Sequence, residues 1–314
     1  MERRAPAVDL SILQCQELLA TVLPEVVITA CHPVTHGRVN TNIRLLTSAG
    51  EMFLRINTWR LETSAKEVAI SELIADSVLA PKLISSGLWQ DHHFAIYEFI
   101  NAPNMLGAKI TDWQKLGASI GKTLAAIWSH KFENFGDLCV IDKNLAVKDW
   151  GLGNDPVRKF CQHCLFNTKA AERLGADLRD KTWALIKEAK ERWPDENHQP
   201  NLAHGDFNPT NVLVRDNKIA AVVDWEFAHA GGKYGDLGNL FRQRDEFQPP
   251  EKFMTSVVEG LAKSGVDLPE DWFQRTLLSD LTSALEFLSS KQDRPNTHAR
   301  AKKQVELTLL ALAS

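Results

Sequence analysis

The chain has 314 residues, 44% of them hydrophobic and 24% charged, with 36 basic side chains against 40 acidic ones for a net charge of −4. That balance describes a globular chain of one large or two modest domains, and it disfavours disorder, collagen-like sequence and coiled coil. It leaves no basic footprint for nucleic acid, and no run of 18 apolar residues exists to span a membrane.

In chain order, the spacing predicts a first helix over 9–23, stopped by Pro24, then strands over 26–30, 42–47 and 52–56. Ser48 to Glu51 reads as a hairpin turn, with Gly50 taking the unusual dihedral. A helix over 64–79 follows, ended by Pro81, and two strands over 82–89 and 93–100. Composition changes near residue 100. Helical periodicity then takes over at 112–130, where Leu116, Ile120, Leu124 and Ile127 recur on one face, and at 168–193. A strand region at 202–226 interrupts the helices, which resume at 251–263, 270–290 and 299–312. The N-terminus lacks the apolar core of a signal peptide. Five cysteines at 15, 31, 139, 161 and 164 point to a reducing compartment rather than a disulfide scaffold. Cys161 and Cys164 form a close pair, but no second pair stands at zinc spacing, so they read as ordinary thiols on a helix.

The informative segment is LAHGDFNPTNVLVRDNKIAAVVDWE, residues 202–226. Asp206 and Asn211 lie five residues apart. Asn211 opens an apolar strand, Asp216 and Asn217 make a tight turn, and a second strand ends at Asp224, so the hairpin brings Asn211 and Asp224 near each other. Phosphoryl transfer from ATP needs this set of groups: one carboxylate to orient the attacking hydroxyl and take its proton, and hard oxygen ligands for Mg²⁺. Asp206 suits the first role, Asn211 and Asp224 the second. Protein kinases use the same order. Asp and Asn near turns often serve only as caps; the joint pattern of H-G-D-x-x-x-x-N, hairpin and D-W-E carries more than any one residue. His204 reads as a support for the loop. Glu226 has two readings, in the metal's outer shell or facing the acceptor.

HGDFNPTN, then VVDWEFAHAG and GDLGNLFR, resemble the aminoglycoside phosphotransferase and choline kinase-like family. The resemblance implies an α+β, protein-kinase-like two-lobed fold, with a small antiparallel β-sheet lobe over 1–100 and a mainly helical lobe over 101–314. ATP is expected in the cleft between the lobes. It implies Asp206 as catalytic base, Asn211 and Asp224 as Mg²⁺ ligands, and Asp236 as a support for the active-site loops. The D-W-E form is similar to the choline kinase-like side. Further back, residues 36–42 resemble the family's phosphate-covering loop; Gly37 and Asn40 are kept, while His36 replaces a first glycine. Arg55 stands where the family places its phosphate-binding basic residue; its fork and charge suit phosphate, and the alternative is a solvated strand residue. Glu67 is its natural partner, although Ser64 and Glu67 also spell a capping box. The strand end at Glu98 to Ile100 corresponds to the hinge whose backbone binds adenine.

The expected activity is ATP-dependent transfer of the γ-phosphoryl group to a hydroxyl of a small molecule: an aminoglycoside, an amino alcohol such as choline, or a sugar-like acceptor. The alternative is a nucleotide-binding scaffold without catalysis, which intact Asp206, Asn211 and Asp224 oppose. A protein kinase is disfavoured, since no Ala-Pro-Glu signature follows Asp224. Residues 201–260 are net acidic, which suits a cationic acceptor. No nucleic acid and no membrane are expected as partners, and the chain reads as a cytoplasmic enzyme.

Overall fold

The computed structural model describes residues 8–34, 40–57, 61–150, 156–189 and 199–312. By contact the chain forms two compact units. The first holds the chain up to Ala108 together with Leu138–Ala146 and Asn211–Phe227; the second holds Lys109–Asp137, Val147–Thr210 and everything from Ala228 onward.

The first unit opens with α1 (Ile12–Ala20). This helix is shorter than the periodicity predicts because a capping box fixes its start: Ser11 Oγ accepts from Gln14 N–H at 3.3 Å, and Gln14 Oε1 accepts from Ser11 N–H at 3.0 Å. Then come β1 (Ile28–Pro33), β2 (Thr41–Thr47), β3 (Gly50–Ile56), α2 (Leu61–Ile74), β4 (Leu83–Trp89) and β5 (His92–Glu98). The strands form one antiparallel sheet in the order β1-β2-β3-β5-β4. Its side chains alternate between faces. On one face Ile43, Leu45, Met52, Leu54, Ile56, Phe94 and Ile96 pack against Cys15, Leu18 and Leu19 of α1, each fully buried Leu or Ile contributing about 2 kcal/mol. Alternation sends Arg55, between Leu54 and Ile56, to the opposite face. The helix α2 begins three residues before Ser64 and ends at Ile74, where Ser77 Oγ donates to the Ile74 carbonyl at 3.2 Å. Ser64 is therefore interior to the helix, and the capping box read there is not formed.

Two short strands that the sequence reading missed follow the sheet, β6 (Gly136–Ile141) and β7 (Asn144–Asp149), joined by Asp142 and Lys143 at φ 49° and 64°. The later hairpin consists of β9 (Val212–Arg215) and β10 (Lys218–Val222), closed by Asp216 and Asn217 at φ 52° and 57°. Positive φ at both central residues is the two-residue turn that matches strand twist. Although it follows residue 101 in sequence, the hairpin packs with the sheet unit. Met105 N–H donates to the Val212 carbonyl, Val214 N–H to the Pro103 carbonyl and Val222 N–H to the Leu79 carbonyl, at 2.8–2.9 Å.

The second unit is mainly helical. Its helices are α3 (Trp113–Trp128), α4 (Pro156–Asn167), α5 (Ala170–Leu174), α6 (Ala176–Glu188), α7 (Tyr234–Phe241), α8 (Glu251–Lys263), α9 (Trp272–Ser289) and α10 (Pro295–Leu312), with β8 (Asn201–Ala203) and β11 (His229–Gly231) between them. Asp112 caps α3, accepting from Lys115 N–H at 2.9 Å. The long helix expected over 168–193 is broken: α5 ends at Gly175, whose φ of 81° no helix accommodates. Cys161 and Cys164 lie buried among Leu165, Leu278, Leu281, Leu285 and Val305, as core thiols. None of the five cysteines takes part in a disulfide. No helix among the described residues is long and apolar enough to cross a membrane.

Candidate active site

In the second unit, β8 leads into the loop that carries Asp206. Gly205 takes φ 76°, a left-handed conformation that glycine adopts without strain, and it turns the chain sharply out of the strand. The loop is braced from α7. Asp236, fully buried, accepts from His204 N–H at 3.1 Å, from Gly205 N–H at 3.0 Å and from Trp128 Nε1–H at 3.0 Å. Asn239, one helical turn on, donates through Nδ2 to the Gly205 carbonyl at 3.1 Å. Both backbone groups of Gly205 are thus held from one helix. The His204 ring is buried, and its Nδ1 accepts from Asp206 N–H at 3.2 Å. Asp206 Oδ1 accepts from Asn208 Nδ2 at 2.7 Å, and Asn208 Oδ1 in turn accepts from Thr210 N–H at 2.8 Å. The carboxylate is oriented by its own turn.

Behind α7 a buried ion pair extends the brace. Arg242 Nη2 donates to Asn239 Oδ1 at 2.9 Å, and its Nε lies 3.1 Å from both oxygens of Asp280 on α9. Gln304 of α10 donates to the same carboxylate. Burial works against the charge on Arg242, but Asp280, with a smaller contribution from Asp206, outweighs it and holds the proton more tightly than usual. Asn239, Arg242, Asp280 and Gln304 were missed by sequence reasoning. Asn239 and Arg242 sat within the quoted GDLGNLFR block, whereas no local signal marks Asp280 or Gln304.

In the first unit, a second cluster forms around Arg55. Its Nη2 lies 3.0 Å from Glu67 Oε1 on α2, 2.9 Å from Asp224 Oδ1 and 3.5 Å from Glu226 Oε2. With the Asn40 amide turned so that its oxygen faces the guanidinium, that oxygen accepts from Nη2 at 2.6 Å and Nε at 3.1 Å. Arg55 and Glu67 are buried, so Arg55 is no solvated strand residue. Burial disfavours the charge on Arg55, yet its three carboxylate neighbours more than compensate and raise its pKa. The carboxyl of Glu67 moves the same way, to about 7: burial pushes it up, Arg55 pulls it back, and Asp224 and Glu226 add repulsion. One cation shared among three carboxylates cannot offset the desolvation of the most buried one.

The hairpin sets the rest of this cluster. Val223 N–H donates to the Asn211 carbonyl at 2.9 Å, so Asn211 stands across the ladder from the residue before Asp224. Asp224 takes φ 70°, a strained conformation for a non-glycine residue and one that concentrates at functional sites. The following 3-10 turn, Trp225–Phe227, is tied to α2 by Lys66 Nζ, which donates to the Glu226 carbonyl at 2.6 Å. Glu98 ends β5, its N–H donating to the Lys82 carbonyl at 2.9 Å, and the Ile100 carbonyl accepts from Ala102 N–H at 2.9 Å. Gly37 lies outside the described residues.

Oxygens of Glu67, Asp224 and Glu226 lie within 4.8 Å of one another. Glu67 Oε1 is buried and makes no aligned hydrogen bond; its 3.0 Å approach to Arg55 is an ion pair only. Three carboxylates facing one guanidinium leave an excess of negative charge, and hard oxygen donors with that excess fit a divalent cation such as Mg²⁺.

An antiparallel-sheet unit carrying a buried Arg–Glu pair, with a helical unit carrying the braced H-G-D loop, defines a kinase-like fold. The model of the phosphotransferase enzyme family matches residues 30–286, and the chain belongs to that family. No curated protein matches the sequence. Among solved structures, the chain is similar to aminoglycoside phosphotransferase APH(4)-Ia, with a TM-score of 0.69 at 15% identity over 96% of this chain and 99% of that one. A thermostable mutant of that protein, in ternary complex with ADP and hygromycin B, matches with a TM-score of 0.69 at 14% identity over 95% and 99%. Macrolide 2'-phosphotransferase MphH from Brachybacterium faecium matches with a TM-score of 0.65 at 16% identity over 93% and 97%.

Proposed function

We propose that this phosphotransferase moves the γ-phosphoryl group of ATP to a hydroxyl of a small molecule, with Asp206 as the base. The observation that carries the reading is the loop of Asp206: a carboxylate oriented by Asn208, on a backbone held by Asp236 and Asn239. A group fixed in this way can align a hydroxyl and take its proton without reorganising. The new bond joins the acceptor oxygen to the γ-phosphorus, the bond to the β-phosphate oxygen breaks, the hydroxyl proton passes to Asp206, and ADP leaves.

Asn211 and Asp224 would hold Mg²⁺, with Glu226 in reach of the same site. The ion would supply neutralisation of phosphate charge when bound. Arg55 would contribute its fork to the phosphates, kept in place by Glu67 and Asn40. Gly37 and Asn40 are assigned to the phosphate-covering loop, and the backbone of Glu98 and Ile100 to the adenine. The solved relative with ADP and hygromycin B supports a nucleotide together with a hydroxyl-bearing acceptor. A lost activity is disfavoured by the intact Asp206, Asn211 and Asp224.

Nucleotide-dependent thermal stabilisation tests this reading. Mg²⁺ with ATP is expected to raise the melting temperature of the wild type. Asp224→Ala is expected to abolish the Mg²⁺-dependent part of the shift, and a shift that survives the change would remove Asp224 from the metal site.

A further inference from the structure

We propose that Arg244 binds an oxyanion, a carboxylate or a phosphate, on the acceptor, so that the substrates are acidic hydroxyl compounds rather than polycations. This rests on the phosphotransferase reading above, with Asp206 as the base.

Two arginines follow α7, and they are used differently. Arg242 is engaged through Nε and Nη2, on both oxygens of Asp280 and on Asn239. Arg244 has no carboxylate at contact distance among the described residues. Its guanidinium makes one hydrogen bond, from Nη2 to the Asn239 carbonyl at 3.1 Å, and its Nε is buried without a partner. A guanidinium carries five N–H donors in a planar fork, and the natural complement of that fork is a carboxylate or phosphate. The two acids that follow it in sequence face other cations: Asp245 lies 3.8 Å from Lys303 and Glu246 3.7 Å from Arg300.

The position of Arg244 ties it to the loop of Asp206. Asn239, which receives the Arg244 hydrogen bond on its carbonyl, donates its own side chain to the carbonyl of Gly205, the residue before Asp206. The charge of Asp206 reaches both arginines. Burial and the neighbouring Arg242 make Arg244 hold its proton less tightly, against the weaker pull of Asp206, Asp280 and Glu246. An incoming oxyanion would offset both effects.

The net acidity of 201–260 does not oppose this. Asp224 and Glu226 face Arg55, and Asp236 is spent on two backbone amides and an indole. Arg244, whose charge Asp206 feels, keeps no carboxylate at ion-pair distance among the described residues. If Arg244 served only to close the last turn of α7, one donor would suffice and lysine would replace it.

The test uses the full chain with Mg²⁺ and ATP, following ADP release with gluconate, glucose 1-phosphate, glucose and kanamycin as acceptors. Gluconate or glucose 1-phosphate is expected to stimulate turnover at least about 10-fold more than glucose or kanamycin, one charged hydrogen bond being worth that much. Which of the two acids prevails decides between carboxylate and phosphate. Arg244→Gln is expected to raise KM for the better acid roughly 10- to 100-fold with kcat little changed, the signature of a lost binding contact. Arg244→Lys should recover only part of that loss, and Arg300→Gln, at an exposed position, none of the change. Equal or better turnover of kanamycin or glucose by the wild type overturns the proposal and leaves the phosphotransferase reading intact. So does an unchanged KM in Arg244→Gln. The absence of both ATP turnover and a Mg²⁺-dependent thermal shift in the wild type would overturn both readings together. Because the acceptor ranking needs only the wild type, an Arg244 variant that fails to fold does not remove the test.

Discussion

Arg55 meets the three carboxylates of the first unit's cluster through a single nitrogen. Its Nη2 faces Glu67, Asp224 and Glu226, and the same guanidinium meets the Asn40 oxygen. Removing it strands a buried carboxylate on α2, which costs about 3–5 kcal/mol when one partner of a buried pair is lost. Arg55→Met is therefore expected to lower the unfolding free energy of the metal-free protein by that much, seen as a lower urea midpoint. Arg55→Lys keeps the charge but gives up the contact from Nε to Asn40, and it is expected to lose less. A midpoint unchanged in Arg55→Met would mean that the three carboxylates do not depend on it. The partnership was legible through the family resemblance, which sets a helix glutamate against the basic residue of the strand. The involvement of Glu226 and Asn40 in the same contact was not, because it depends on the fold bringing residues 171 and 186 positions apart to one point.

At the scale of elements, α7 is the support of the Asp206 loop. Asp236→Ala would leave the buried His204 amide, the half-buried Gly205 amide and the Trp128 indole N–H without an acceptor. At about 1–3 kcal/mol for each unsatisfied group, a loss of about 3 kcal/mol or more is expected in equilibrium unfolding, with a fall in kcat as the loop loosens. The contact between α1 and β1 carries a pH dependence. Burial, reinforced by the neighbouring Cys31, pushes the Cys15 thiol from 9.0 up to about 12. The folded protein then keeps a proton that the unfolded chain releases, so stability is expected to fall as pH rises from 9 toward 12, and the slope should shrink in Cys15→Ala. Alkylation of Cys15 at pH 8 is expected to be slow for the same reason. Element extents were only partly legible. Helix starts moved to where caps formed, as at Ser11, and the predicted helix over 168–193 broke at Gly175. The strands β6 and β7 escaped notice because their turn uses Asp142 and Lys143, without glycine or proline to mark it.

For the whole molecule, the motif proposed for catalysis was readable because it is local: Asp206, Asn211 and Asp224 lie within 19 positions, the last two flanking one hairpin. The outer brace was not, because Asp280 and Gln304 reach the Arg242 end of α7 from helices 38 and more positions further along the chain. The five strands were read one by one from their apolar runs, their antiparallel sheet was implied by the family resemblance, and the helical unit followed from its apolar spacing. The assignment of the hairpin by contact to the sheet unit depended on backbone hydrogen bonds to residues 103 and 105, which no side-chain pattern encodes. The central claim is phosphoryl transfer with Asp206 as the base. It is tested most directly by ATP turnover in the presence of Mg²⁺ and the best acceptor, measured for the wild type and for Asp206→Asn. The variant is expected to bind nucleotide as the wild type does and to turn over about 10²–10⁴-fold more slowly. Wild-type turnover in Asp206→Asn would contradict the assignment.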